Sequence, residues 1–235
     1  MDDFLDSLAR TAPVEISPTL LIVLVAAAAV LSIPQAIWQW FGLFTTLVHE
    51  LGHAIGAILT GRFVHGIKIR RNHSGEAISR GRGKLGAVIS GSLGYPAPAI
   101  VGVVQLWCVT QGDTALALFV GGAILVLTLL VIRNFFGFLV VAISAAVSVA
   151  LWLWATPTQQ SYVLLVLAIA LLVGSVRGLA AVIAVHTRRR TQLTSSDAYL
   201  LFKRTGIPSA FWLLLFAATI GACVVWAVTI VLERY

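Results

Sequence analysis

Charge is scarce in this sequence. Lys, Arg, Asp and Glu make up 11% of its 235 residues, against roughly 25% in soluble domains. Apolar residues make up 59%, and mean hydropathy is +0.97. That combination excludes an ordinary soluble domain and indicates an integral membrane protein, with the lipid bilayer as its solvent. Cysteine is nearly absent. Cys108 and Cys223 stand far apart in apolar runs, so there is no disulfide framework and no CxxC metal site, and both read as packing residues. Acidic groups are the scarcer sign, nine against sixteen basic residues, for a net charge of +7. In a soluble protein this excess would suggest a nucleic-acid partner. Here the basic residues lie between apolar runs, where the positive-inside rule accounts for them, and no nucleic-acid partner is expected.

Seven apolar runs are candidate membrane helices, at about 18–33, 37–60, 85–107, 115–132, 135–155, 162–185 and 209–232. The expectation is an all-α polytopic membrane protein, a single integral-membrane domain over residues 1–235. Loops after the second, fourth and sixth runs carry Lys or Arg; those after the first, third and fifth carry none. Counting each run as one crossing sets the N-terminus and the loops after even-numbered runs in the cytoplasm, with the C-terminus outside.

The longest polar loop, 61–84, follows the second run. Phe63 to Ile69 alternates as a strand does, Asn72-His73-Ser74-Gly75 is a turn signal, and Glu76 to Ser79 is a return strand. A short β-hairpin-like cytoplasmic loop is therefore expected. Its edge suits an extended peptide added as a further strand, with Phe63 and His65 as candidate substrate contacts. In the third run, Gly91-Ser92-Leu93-Gly94-Tyr95-Pro96-Ala97-Pro98 interrupts the helical ladder. A kinked helix is expected there, with water reaching the site near Pro96 and Pro98.

What is present, against this apolar background, is His49-Glu50-Leu51-Gly52-His53 in the second run. Positions i and i+4 share a helix face, so both imidazoles can hold one Zn²⁺. Glu50 follows the first ligand and can act as general base on a water at the metal. Ionisable groups within an apolar span are costly and are usually functional. Gly52 and Gly56 narrow the helix and admit a neighbouring backbone. The motif lies about seven residues, roughly 10 Å, before the inner end of its run.

A catalytic zinc requires a third protein ligand. Asp2, Asp3, Asp6 and Glu15 precede the first run, while Asp113 and Glu233 fall on the outer side of the expected topology. Glu76, Asp197, His65, His73 and His186 fall on the inner side. Asp197 is the most attractive, at the mouth of the last helical segment, yet Ser195-Ser196-Asp197 before an apolar helix is also an ordinary N-cap. The residues alone leave both readings open.

Several blocks, in order along most of the chain, resemble the site-2-protease-like intramembrane zinc metalloproteases, in their small bacterial branch. They are Val48 to Ala54, Leu59 to Arg62, His73-Ser74-Gly75, Gly94 to Ala99, Arg133 to Gly137, Ser196-Asp197-Ala198, Thr205 to Pro208, and Trp212. The resemblance implies an endopeptidase that cuts membrane-spanning substrates inside a bacterial cell membrane. It implies His49 and His53 as zinc ligands and Glu50 as the base. The Asp-Gly pattern that carries the third ligand in well-known members is missing here, and the Ser-Asp-Ala block makes Asp197 its candidate. Asn134 is a candidate for orienting substrate or supporting a ligand.

Two other readings use the same His pair. A metal transporter would need acids or histidines along several runs, which this chain lacks. A catalytically inactive scaffold or chaperone would not need the intact His49-Glu50-His53 set. The substrate and the oligomeric state are not written in the sequence.

Overall fold

The computed structural model describes residues 7–234. The apolar runs form helices, and punctuation in the sequence sets their ends. Helix α1 (Pro18–Ser32) starts at Pro18, with the Ser17 hydroxyl accepting from the Leu20 N–H, and stops before Pro34. Helix α2 (Gln35–Leu59) follows at once. The hairpin is present as β1 (Phe63–Ile69) and β2 (Gly75–Arg80), antiparallel, with a bulge at His65 between Val64 and Gly66. The third run is broken. Its two helices, α3 (Lys84–Ser92) and α4 (Ala97–Gln111), meet at 63° across Leu93 to Pro96, so the expected kink is there. Next come α5 (Thr114–Thr128), α6 (Phe135–Trp154) and α7 (Pro157–Thr187). A 3₁₀ turn (Arg190–Ser195), α8 (Asp197–Thr205) and α9 (Ser209–Arg234) complete the chain. Helix α7 begins five residues before its expected start at 162. Thr156 and Gln159 form a reciprocal capping box, and Pro157 occupies the first turn, where its missing N–H costs nothing.

Helices α1, α4, α7 and α9 share one core built on Leu24, Leu106, Leu165, Ala168 and Ile220. A second core joins α2 and β1 to α5 and α6 through Leu43, Leu47, Ile67, Leu125 and Val141. The free edge of β1 is closed by the segment between α5 and α6. The Ile67 N–H donates to the Val131 carbonyl (2.9 Å), and the Arg133 N–H donates to the Ile67 carbonyl (2.8 Å). The Asn134 amide then clamps Ile69, accepting from its N–H (3.1 Å) and donating to its carbonyl (2.7 Å). β2 is thus the strand with an open edge.

Four helices are long and apolar enough to cross a membrane: α2, α6, α7 and α9. The bent pair α3–α4 makes a fifth, whereas α1 and α5 are shorter. Seven crossings, with the N-terminus on the metal side, do not fit the contacts. The Thr11 N–H donates to the Gly112 carbonyl (3.0 Å), and Arg10 pairs with Asp113 (2.7 Å). The segment before α1 therefore shares a face with the loop after α4, which three successive crossings would place on opposite faces. Seven spans are thus not confirmed: by length and apolarity there are four among the described residues, or five with the bent pair, and α2 is one of them. Its first turn is held by Arg177, twenty residues or about 30 Å along α7 from Pro157. Its last turn packs on Gly86 of α3, beside the Ala87 carbonyl that accepts from Arg204. Both ends of α2 thus lie in the half of the molecule that holds the C-terminal end of α7.

Candidate metal centre

On α2, His49 and His53 face the broken span. The Nδ1 of His53 lies 2.7 Å from the Ser90 carbonyl, which can only accept, so that nitrogen carries the proton and Nε2 of the neutral ring is a bare lone pair. Ser90 answers by donating its hydroxyl to the His53 carbonyl (2.7 Å), which locks α2 to α3. The two Nε2 atoms are 3.1 Å apart. Asp197, in the first turn of α8, brings Oδ2 to 3.2 Å from each of them. His49, His53 and Asp197 are the group of potential ligands found among the described residues.

Whether a metal fits can be judged from these contacts. Asp197 Oδ2 is buried and accepts no well-formed hydrogen bond. With the His53 proton on its far nitrogen, the His53 lone pair and the Asp197 oxygen converge on one point with His49 Nε2, an arrangement that suits a cation. The separations also match. Donors on a tetrahedral zinc with bonds of about 2.0 Å are about 3.3 Å apart. A nitrogen–nitrogen–carboxylate set suits Zn²⁺, and the Ser90 carbonyl behind His53 is the usual outer partner of a ligating imidazole.

Room for this cluster comes from the break between α3 and α4. A Cβ on Gly94 would fall on the His53 ring and within 2.8 Å of His49 Nε2. Tyr95 packs edge-on against His49 (centroids 4.7 Å) and stacks on Phe216 of α9 (5.3 Å). Tyr95 thus meets α9 seven residues, about 10 Å, along from Ser209. Gly52 and Gly56 let α3 and α4 close in. A Cβ on Gly52 would lie 2.6 Å from the Leu93 carbonyl, and one on Gly56 would lie 3.0 Å from Ser90 Cα.

Glu50 is 4% exposed and its Oε2 has no partner. It lies under the start of β2, where a Cβ on Gly75 would collide with its carboxylate, and the Ala77 N–H is directed at it. His49, Glu50, Tyr95, Pro98 and Asp197 line one cleft of about 430 Å³; Pro98, but not Pro96, is on its wall.

The other expected residues lie elsewhere. Glu76 pairs with Arg70 on the exposed hairpin face. The Nε2 of His186 is 2.9 Å from the Ser196 hydroxyl. Ser196 occupies the cap position of α8, but its side chain makes no capping bond there. Asp197 is therefore not the cap that the Ser-Ser-Asp pattern allowed. His65 packs edge-on against Phe63, and neither lines the cleft. Asn134 acts on β1 rather than on the His pair. His73 lines the cleft beside Trp38 and Gly42, with φ at 63°. Ser90 carried no signal that marked it as a site residue; Gly75 and Gly94 stood within resembling blocks, Gly94 also in the proline-rich break, with no role assigned to either.

The sequence model of the Peptidase M50B-like family matches residues 21–227, which include every residue of this cleft named above. No curated protein and no solved structure matches the chain.

Proposed function

Because the chain belongs to the Peptidase M50B-like family, a family of site-2-protease-like peptidases, we propose that it is a zinc-dependent intramembrane endopeptidase whose substrates are membrane-spanning proteins. The observation that carries this reading is the convergence of His49, His53 and Asp197, with the Oε2 of Glu50 unpartnered in the same cleft. Those three residues would hold Zn²⁺. Bound there, zinc supplies a Lewis acid for the scissile carbonyl and brings the pKa of its water toward about 7. Glu50 takes a proton from the attacking water and returns it to the leaving amine. Tyr95 and the Gly94 break shape the wall opposite.

A helical substrate hides its carbonyls in its own hydrogen bonds and must be drawn out as a strand. The open edge of β2 at Gly75 and Ala77 runs past Glu50 and suits strand addition. β1 does not, since its edge groups are used by residues 131–134. The whole of 1–235 acts as one membrane domain in this reading. All Lys and Arg except Arg10 and Arg234 lie toward the metal side, so that side faces the cytoplasm of a bacterial cell.

Zinc content and cleavage of an unstructured peptide pool, measured on purified full-length protein, test the reading together. The wild type should carry one zinc per chain, lost in His53→Ala and in Asp197→Ala. Glu50→Gln should keep zinc and lose cleavage by about 10²–10⁴-fold. Zinc retained in Asp197→Ala would remove Asp197 from the ligand set. Cleavage unaffected by Glu50→Gln would sink the mechanism. Zinc with no cleavage in the wild type would favour the scaffold or transporter readings.

A further inference from the structure

The cleft that holds Glu50 has a second end, formed by Trp38, Gly42, His73 and Arg177. Arg177 Nη1 donates to the carbonyls of Ser32 and Ile33 (2.8 Å each), and Nη2 donates to Gln35 Oε1 (2.6 Å). Its guanidinium lies 4.5 Å from the centroid of the Trp38 ring. Every one of these partners is neutral. Among the described residues no carboxylate pairs with Arg177. Of its five N–H donors, these bonds engage three. The remaining two make no hydrogen bond among the described residues, and no acid offsets the charge, at an end of the cleft walled by Trp38, Gly42, His73 and Gly174. His73 does not add to the charge. Burial pushes its pKa below that of an ordinary imidazole, and although the Gln39 carbonyl opposes this, Arg177 lowers it further.

A plain structural role accounts for the three bonds, because a cation at the carbonyl end of α1 is favourable. It does not account for a guanidinium facing the catalytic cleft without an acid. We propose that Arg177 is a specificity-determining residue, the floor of a subsite for an Asp or Glu side chain of the substrate. The spacing follows from α2. Trp38, whose ring the guanidinium overlies, precedes Glu50 by twelve residues, or about 18 Å. An extended peptide advances about 3.3 Å per residue. The substrate carboxylate therefore lies about five residues from the scissile bond, on the side that leads past Gly75 toward His73. Arginine suits this task because its planar fork grips a carboxylate with two parallel bonds.

This subsite rests on the endopeptidase reading, and one experiment separates the two. Purified full-length enzyme with zinc is given a randomised pool of unstructured peptides, and cut sites are read by mass spectrometry. Wild-type cuts should be enriched about tenfold or more in Asp and Glu over Asn and Gln at one fixed position, about five residues from the cut. Arg177→Gln should erase that enrichment while still cutting, and Arg177→Glu should replace it with Lys and Arg. His73→Asp sets a carboxylate beside the guanidinium without touching the α1 contacts, and should erase the enrichment too. Cuts with no acidic preference in the wild type overturn the subsite and leave the protease standing. So does a profile unchanged in Arg177→Gln, even with total cleavage reduced, since that is what a helix staple alone would give. A zinc-loaded wild type that cuts nothing overturns the endopeptidase and the subsite with it.

Discussion

Two glycines separate metal binding from proton transfer at the resolution of a single methyl group. A Cβ at position 94 lands on His53 and beside His49, whereas one at position 75 lands on the carboxylate of Glu50. Gly94→Ala should therefore lower the zinc content of the purified protein severalfold. Gly75→Ala should leave one zinc per chain and reduce peptide cleavage at least about tenfold, within the range expected for a displaced general base. The opposite pattern, zinc lost on altering Gly75, would mean that Glu50 and not Asp197 completes the ligand set. The contrast also explains what could be read in advance. His49, Glu50 and His53 are legible because their roles follow from spacing on one helix. Asp197 arrives from a helix far along the chain, and spacing says nothing about it; the resemblance of its Ser-Asp-Ala block singled it out. Ser90, Gly94 and Gly75 matter only through what the fold sets against them; the resembling blocks include Gly75 and Gly94 among the twenty glycines but give neither a role, and Ser90 lies in none of them.

At the level of elements, the hairpin was legible through alternation and its Asn-His-Ser-Gly turn, but the identity of the open edge was not. That edge is decided by Val131, Arg133 and Asn134, which lie after α5 and look like an ordinary inter-helix turn. Asn134 does for β1 what a third strand would do. Asn134→Ala removes both bonds to Ile69 and should cost about 1–3 kcal/mol, visible as a lower thermal midpoint with zinc still bound. Proline tests the functional edge. On an open edge it removes a donor that the sheet does not use, here the N–H directed at Glu50, so Ala77→Pro should preserve folding and zinc while abolishing cleavage. If Ala77→Pro cuts normally, substrate does not add to β2 and the cleft must hold its peptide in some other way.

Over the whole molecule, the number of crossings turns on α2. The run 37–60 is as long and apolar as a spanning helix, and hydropathy does not tell a helix that crosses from one whose two ends lie in the same half of the protein. We predict that α2 stays in one half, so that α1, the α3–α4 pair, α5, α6, α7 and α9 would make six crossings, an even number. The contacts agree at both ends. Arg10 and Thr11 meet Asp113 and Gly112, and Ile230 and Val231 of α9 pack in the core that contains Ile16 and Val109. The segment before α1 and the end of α9 thus share the face opposite the metal, while the cations of the hairpin, of residues 188–190 and of α8 share the other. In a chain freed of Cys108 and Cys223, single cysteines at the exposed positions Glu15 and Glu233 should react with a membrane-impermeant thiol reagent added outside intact cells. A cysteine at Arg189 should react only after the inner face is opened. Labelling of position 15 and position 233 from opposite sides would restore an odd count and return α2 to the membrane as a full crossing. Labelling of both from inside would keep the even count but turn the molecule over, placing the metal cleft toward the outer face and removing the positive-inside argument for where substrate and water reach it.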